Sequence, residues 1–317
     1  MLRSVSACAV AVPALAMCLA TIVLAQKPAQ QTRFATPEDA VAALKKAVKA
    51  KDQAELTAIF GPERNKLLTG DAVQDNHALE HLAAQLEESY TLEKVGDNKV
   101  TLVVGAAKWP SPIPIIKDGN QWCFDTAAGL EEALNRNVGD DELSAIMTCR
   151  AYVLAQWEYF TQAIGTTQDG LAVYAQKIVS TPGKRDGLYW DTPIGAKSSP
   201  LGSLVAQARA EGYPAGQSRP AGTGKRPYHG YFFKILTRQG THAPGGKFSY
   251  VINGNMIAGY ALVAYPDKWG SSGVMTFMVN QQGRLYEKNL GPKTAQIAAG
   301  ITEYDPDPSW KLVKQQP

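Results

Sequence analysis

The chain has 317 residues, of which 45% are hydrophobic, and its 32 basic residues nearly balance its 29 acidic ones. This length exceeds the size at which one hydrophobic core usually stops growing, so we expect two domains. A net charge of +3 at pH 7 does not indicate binding to a polyanion, and we expect no nucleic-acid partner.

Residues 1–25 have the order of a secretory signal peptide. An early positive charge at Arg3 is followed by an apolar run over residues 5–24, and the run ends in the small residue Ala25. We therefore predict cleavage before Gln26, which makes the mature protein exported, either periplasmic or secreted.

Two alternatives to cleavage involve the membrane. The apolar run is long enough to act as an uncleaved anchor. Cys18 would be the acylated residue of a lipoprotein, although the bulky Met17 stands where a small residue is expected. No later segment reaches the roughly 18 apolar residues of a spanning helix, so we expect no membrane span after cleavage.

The N-terminal part of the mature chain is predicted to be an α+β domain over residues 36–138, after a disordered linker over residues 26–35. Thr36-Pro37 opens a first helix with a capping hydroxyl and a proline in the first turn. Three helices are then followed by about three antiparallel strands. This order is similar to the pattern of NTF2-like domains, in which helices lie across a curved sheet.

A second α+β domain is predicted over residues 139–313. Gly139-Asp140-Asp141 breaks the preceding helix, and residues 142–163 form the longest amphipathic helix of the chain. We expect Trp157 and Phe160 to be buried where this helix packs on a sheet. The rest of the chain is rich in β-branched and aromatic runs separated by glycines, which favours an antiparallel meander.

Several long motifs occur in one fixed order along the mature chain, and together they resemble the exported bacterial family catalogued as domain of unknown function 2950. That resemblance implies export and a shared fold, and it implies no activity. The motifs are Trp109-Pro110, Pro112-Ile113-Pro114, Trp122 with Phe124-Asp125-Thr126, Asp186-Gly187-Leu188-Tyr189-Trp190, Ser199-Pro200-Leu201-Gly202, Pro227-Tyr228-His229-Gly230-Tyr231 and Gly273-Val274-Met275-Thr276-Phe277.

The C-terminal half also resembles the globular domains of pilins and pseudopilins, in which a helix packs on an antiparallel sheet. The resemblance rests on Ala155-Gln156 and Tyr159 in the long helix and on Ala264-Tyr265-Pro266 in the later strands. In pilins the helix directly follows the N-terminal hydrophobic segment, whereas here about 115 residues intervene. The resemblance therefore implies a shared fold and no filament subunit.

Two cysteines remain after signal cleavage, Cys123 and Cys149. In an oxidising compartment they could form one disulfide. Alternatively, each is a small buried hydrophobic residue, Cys123 between Trp122 and Phe124 and Cys149 on a helix face.

The segment His77-Ala78-Leu79-Glu80-His81 matches the H-x-x-E-H spacing of inverted zinc peptidases. Histidines four residues apart share a helix face and can both reach a zinc ion, while Glu80 could activate water. The alternative is that His77 and His81 are solvated residues of an amphipathic helix. If His77 and His81 are solvated residues, we expect no cofactor.

Two clusters combine aromatic rings with a titratable group and are candidate parts of a binding surface. One holds Asp186, Tyr189 and Trp190, and the other holds Tyr228 and His229. Such rings offer apolar faces with polar rims. We predict that the loop over residues 183–202 lies beside the strand beginning at Tyr228. The alternative is that the rings only pack the loop against the sheet.

No complete catalytic set is present in the sequence. We therefore expect an exported, non-catalytic envelope protein that binds another envelope protein or a glycan. The alternative is an exported hydrolase, either zinc-dependent through His77, Glu80 and His81 or using Asp186 and His229.

Overall fold

The computed structural model describes residues 31–193, 195–213 and 227–314. The predicted signal peptide over residues 1–25 lies outside these ranges, as do the first five residues of the predicted linker. Helices and antiparallel sheets are both present in the described residues, which confirms the α+β prediction.

Within the described ranges the chain forms α-helices of very different lengths, and none of them has both the length and the apolar character needed to cross a membrane. A short 3-10 helix at Pro62–Lys66 follows the second α-helix. The α-helices are α1 Pro37–Ala50, α2 Gln53–Phe60, α3 Ala72–Glu88, α4 Thr126–Thr161, α5 Gly202–Ala210 and α6 Thr294–Gly300.

The N-terminal half places α1, α2 and α3 against an antiparallel sheet with the order β1-β2-β4-β5, and β3 also pairs with β2. The predicted Thr36 cap is present, since its side chain accepts from the Asp39 backbone N–H. The edge strand β1 consists of mostly exposed residues, which gave no strand signal. The strands are β1 Tyr90–Lys94, β2 Lys99–Val104, β3 Trp109–Pro110, β4 Ile115–Asp118 and β5 Gln121–Phe124.

The linker prediction is wrong for residues 31–35, which join the N-terminal sheet and core. Phe34 exchanges two backbone hydrogen bonds of 2.8 Å with Trp122 on the edge strand β5. The Gln31 side chain donates to the carbonyl of Ile59 at 2.9 Å. The edge strand thus provides backbone partners that composition does not reveal.

The C-terminal half contains a five-stranded antiparallel sheet with the order β14-β13-β12-β11-β6. Neighbours in this order follow one another along the chain once the short strands β7 to β10 are set aside, so the sheet is the predicted meander. Its strands and the short ones are β6 Tyr231–Leu236, β7 Arg238–Gln239, β8 Phe248–Ser249, β9 Val251–Ile252, β10 Asn255–Met256, β11 Ala261–Pro266, β12 Met275–Asn280, β13 Leu285–Asn289 and β14 Lys311–Leu312.

The helix break predicted at Gly139-Asp140-Asp141 is wrong, because α4 continues through it as one helix of 36 residues. A glycine inside a helix costs only about 1 kcal/mol relative to alanine, and packing at both ends of α4 offsets this. The domain boundary predicted between residues 138 and 139 therefore lies inside α4. One hydrophobic core lies on each side of this boundary. The first is built from residues 40–124 and the second from residues 145–310.

The predicted packing face of α4 is also wrong. Trp157 is exposed, and Phe160 is half-buried and stacks on Tyr174 at 4.5 Å between ring centroids. The buried aromatic residues are instead Tyr152, whose hydroxyl donates to the Ala261 carbonyl at 3.3 Å, and Tyr159. Tyrosine can be buried once its hydroxyl has an acceptor. A prediction of the buried helix face from hydrophobicity alone is therefore wrong here.

The two cysteines do not form a disulfide: both are buried, free thiols. Cys123 lies on β5 in the N-terminal sheet, whereas Cys149 lies on α4 in the C-terminal core. Burial raises the pKa of the Cys149 thiol to about 12, so this thiol stays protonated and behaves as a small hydrophobic side chain.

Candidate functional site

A cleft of about 780 Å³ lies where the N-terminal half meets the middle of α4. Its volume is within the range of small-molecule sites, about 300–1,000 Å³. The cleft has an apolar wall and a polar one. The apolar wall includes Leu56, Phe60, Leu67, Leu68 and Leu79, and the polar groups include Gln53, Arg64, Thr69, Gln74, Asp75, Asn76, His77, His81, Asn137, Asp140, Asp141 and His229.

The start of α3 is fixed at the cleft by its own capping residues. Asp71 caps the helix by accepting from the backbone N–H groups of Val73 at 3.0 Å and Gln74 at 3.3 Å. The Asp75 carboxylate accepts from the Thr69 backbone N–H and hydroxyl, both at 3.0 Å. The first turn of α3 and the loop before it therefore form one hydrogen-bonded unit.

Arg64 links the 3-10 helix to α2. Its guanidinium donates to the Thr57 hydroxyl at 3.3 Å and to the Gln53 side chain, and the residue is buried. Burial lowers the pKa of Arg64, and nearby Asp75 opposes that shift. The Arg64 guanidinium thus already donates to neutral side chains, and a carboxylate balances its positive charge only in part.

Asp141 is the most unusual group lining the cleft, since it is only 1% exposed. One carboxyl oxygen, Oδ1, accepts from the Gln74 amide, while Oδ2 makes no hydrogen bond with a described residue. Burial raises the pKa of Asp141 to about 7, and the neighbouring carboxylates of Asp71 and Asp140 add to this effect. Near neutral pH a large fraction of Asp141 therefore carries a proton.

A polar network connects the two halves beside the cleft. The Tyr213 hydroxyl donates to Asp71 Oδ2 at 2.9 Å and accepts from the His229 backbone N–H at 3.3 Å. The His229 Nε2 lies 2.8 Å from Glu211 Oε2. Burial raises the pKa of the Tyr213 hydroxyl, so it acts as a neutral donor.

The histidines of the zinc hypothesis line the same cleft, but their neighbours are not those of a metal site. The His77 Nε2 contacts the backbone carbonyl of Glu211. The Glu80 carboxylate accepts from Lys51, and this bond lowers the pKa of Glu80. In the described ranges no group of three or more His, Cys, Asp or Glu side chains is arranged to hold a metal ion, so no third ligand accompanies His77 and His81 there.

The loop over residues 183–202 has its own local partners. Asp186 accepts from Lys177 at 2.7 Å and from the Thr181 backbone N–H at 2.7 Å, and these bonds hold the pKa of Asp186 well below its ordinary value. The Tyr189 hydroxyl donates to Asp191 at 2.6 Å.

Trp190 of this loop stacks under a cation, since the Arg185 guanidinium lies 5.4 Å from its ring centroid. The backbone N–H of Leu188 donates to the Lys177 carbonyl at 3.0 Å, and that of Tyr189 to the Ile178 carbonyl at 2.8 Å. The loop thus pairs with residues 177–180, and Asp186 is an ion-pair residue.

Tyr228 and His229 lie in a second cluster, in a tight turn and not in a strand. Tyr228 and Tyr231 exchange two backbone hydrogen bonds, and the two residues between them have positive φ, 44° for His229 and 67° for Gly230. The strand β6 begins only at Tyr231. The Tyr228 ring packs on Tyr213 at 5.0 Å between centroids, so its neighbours differ from those of Trp190.

The end of α5 joins the two aromatic clusters. Arg209 pairs with Asp191 at 2.8 Å and lies over the Tyr189 ring, while Glu211 contacts His229. The structure therefore brings His229 to the cleft together with His77 and His81, and it places Asp186, Tyr189 and Trp190 in a neighbouring loop cluster.

Asp71, Asp141 and Tyr213 are site residues that were not predicted from the sequence. A usable signal existed for Asp141, because Asp141, Ala145 and Tyr152 recur at helical spacing on one buried face of α4. No such signal marks Tyr213, which meets Asp71 only through tertiary contacts across a separation of 142 residues.

Comparison with known proteins agrees with the motifs quoted above. No curated protein and no solved structure matches the chain, so the NTF2-like and pilin-like resemblances stay predictions. The model of the family described as "Protein of unknown function (DUF2950)" matches residues 31–313. The chain therefore belongs to the DUF2950 family.

Proposed function

We propose that this protein is an exported, non-catalytic binding protein that holds a glycan of the cell envelope in the cleft between its two halves. The observation that carries the proposal is the lining of the cleft, which combines an apolar wall with uncharged hydrogen-bonding side chains such as Thr69, Asn76 and Asn137. A sugar ring offers the matching surfaces, with C–H faces and a rim of hydroxyls.

The amides of the cleft are the groups best suited to sugar hydroxyls. Asn76 on α3 and Asn137 on α4 line it from two different helices. Each amide can donate and accept at once, as a hydroxyl also does. A glycan held by both would bridge α3 and α4.

Asp141 supports the choice of a neutral ligand. With a pKa of about 7 and burial of all but 1% of its surface, its carboxyl would resist an anion placed beside it. In its protonated form it keeps the polar wall of the cleft close to neutral.

Export is supported by the charged, apolar and small-residue order of residues 1–25. The test is the intact mass of the protein recovered from the exported fraction. We expect a chain beginning near Gln26. A diacylated Cys18, or a chain that retains residues 1–25, would contradict the proposal.

Binding is tested by isothermal titration calorimetry with defined glycans. The probes are the disaccharide unit of peptidoglycan, chitotetraose and maltotetraose. We expect saturable binding of at least one of these glycans, and Asn76→Ala and Asn137→Ala should each weaken it about fivefold to tenfold, the value of one or two hydrogen bonds. Asn98→Ala, on an exposed turn outside the cleft, is the matched control and should bind as the wild type does.

The hydrolase alternative has a distinct outcome in the same experiment. Shortened glycans detected by mass spectrometry after the titration would replace the binding proposal with a hydrolase. Stoichiometric zinc in the purified protein, lost in a His77→Ala/His81→Ala variant, would identify the zinc-dependent form. Unchanged affinity in both Asn76→Ala and Asn137→Ala would move the ligand out of the cleft.

A further inference from the structure

One side of α4 exposes a stripe of large apolar side chains in the C-terminal half of the helix. Leu143 is 51% exposed, Met147 62%, Leu154 69% and Trp157 60%. Their spacing of four, seven and three residues places all four on one narrow face of the helix, the a/d spacing that seams two helices together. Single exposed leucines are ordinary, whereas a continuous stripe of this kind is typical of a protein contact surface.

Two charged residues continue the same stripe. Arg150 fills the a/d position between Met147 and Leu154, and Asp140 fills the position before Leu143. Both are exposed, and neither forms an ion pair within the part of the chain that the structure describes. The stripe thus carries one uncommitted cation and one uncommitted anion, ten residues apart.

The stripe is complementary to itself when two copies of α4 run antiparallel. In the register that sets Leu143 against Met147 of the second copy, Arg150 faces Asp140 of the second copy. Two-fold symmetry then repeats each pair, which gives an apolar centre flanked by two opposite-charge pairs. In the same register Trp157 faces the small Ala133 and Leu154 faces Arg136, and the contact extends over about 36 Å of helix at 1.5 Å per residue.

A parallel arrangement lacks this complementarity, because Arg150 would then face Arg150 and Asp140 would face Asp140. We propose that the apolar stripe of α4 is a homodimer surface on which a second copy of this chain docks with its α4 antiparallel. This register satisfies the central apolar pairs and the charge pairs together. This inference does not depend on the ligand proposed for the cleft.

The test is sedimentation velocity of the exported, processed protein over about a hundredfold range of concentration, since mass action populates a dimer as concentration rises. We expect a monomer–dimer equilibrium. Arg150→Asp and Asp140→Arg should each raise the dissociation constant about tenfold or more. Each substitution places two like charges opposite each other, and the two-fold symmetry repeats this repulsion at a second contact. The double variant Asp140→Arg/Arg150→Asp exchanges the charges and should return the constant to within about threefold of wild type.

Leu171→Ser is the control, since Leu171 is 62% exposed and lies outside α4; its dissociation constant should equal that of the wild type. Thermal melts of every variant verify the fold, because all substituted side chains are exposed. A wild type that stays monomeric over the whole range would overturn the proposal. So would a double variant that dimerises as weakly as the two single variants.

Discussion

Replacing the buried Asp141 by asparagine should remove a pH-dependent cost to stability. In the folded protein the pKa of Asp141 is raised to about 7 by burial, whereas the unfolded chain has an ordinary aspartate pKa of about 3.9. The folded state therefore binds the extra proton between these values, and stability falls as pH rises from about 4 to about 7. The stabilising protonated form is fully present below pH 4 and is lost above pH 7.

The size of the effect follows from the difference between the two pKa values. From about 3.9 to about 7 it corresponds to about 4 kcal/mol of unfolding free energy at pH 8, as an order of magnitude. An asparagine side chain at this position would keep the shape of the protonated carboxyl without titrating. Relative to wild type, Asp141→Asn should therefore gain about 4 kcal/mol between pH 4 and pH 8.

The assay is urea unfolding followed by circular dichroism at pH 4, 6 and 8 on the wild type and Asp141→Asn. Asp97→Asn, at an exposed position in the β1–β2 turn, is the control whose difference from wild type should vary little over this range. If the difference between Asp141→Asn and wild type stays constant from pH 4 to pH 8, Asp141 does not hold its proton in the folded state and the description of the cleft wall is wrong.

Four further substitutions test the packing. Trp157→Ala should change the melting temperature of the monomer little because Trp157 is exposed, whereas Tyr152→Ala, on the buried face of the same helix, should cost about 3–5 kcal/mol; equal melting temperatures would contradict the assigned face of α4. Gly230→Ala should destabilise the fold, since its φ is 67° and a Cβ would lie 2.5 Å from Asp141 Oδ2. Gly139→Ala, in α4 with open space around it, should stabilise by about 0.5–1 kcal/mol in urea melts, and a loss of stability there would argue against a continuous helix.

Elements with a strong local signal were predictable from the sequence. Thr36-Pro37 starts α1 where the capping rule places it, and the meander strands fall on their β-branched and aromatic runs. Local rules are sufficient at these places because the cap hydroxyl and the strand pairing involve neighbours in the chain or in the next strand.

The face of α4 was not predictable in this way. Trp157 and Leu154 are more apolar than Tyr152 and Gln156, yet the latter two are buried because they hydrogen-bond to each other at 3.0 Å and to backbone carbonyls. Those partners, the carbonyls of Ala175 and Ala261, are 19 and 109 residues away. A hydrophobic pattern read along one helix does not contain them.

The candidate site was predictable only in part. His77, His81 and His229 were selected for their chemistry and do line the cleft. Asp141 was interpreted as part of a helix break, because Gly-Asp-Asp usually ends a helix in an isolated segment. Its burial depends on both halves packing around α4, which is a property of the whole fold.

Hydrogen–deuterium exchange with and without the glycan that binds in calorimetry shows whether that glycan occupies the cleft between the two halves. We expect slower exchange in residues 62–81 and 137–141, which form the cleft walls, with no change in residues 183–202. Protection confined to residues 183–202, around Tyr189 and Trp190, would contradict the claim and place the ligand on the aromatic loop instead.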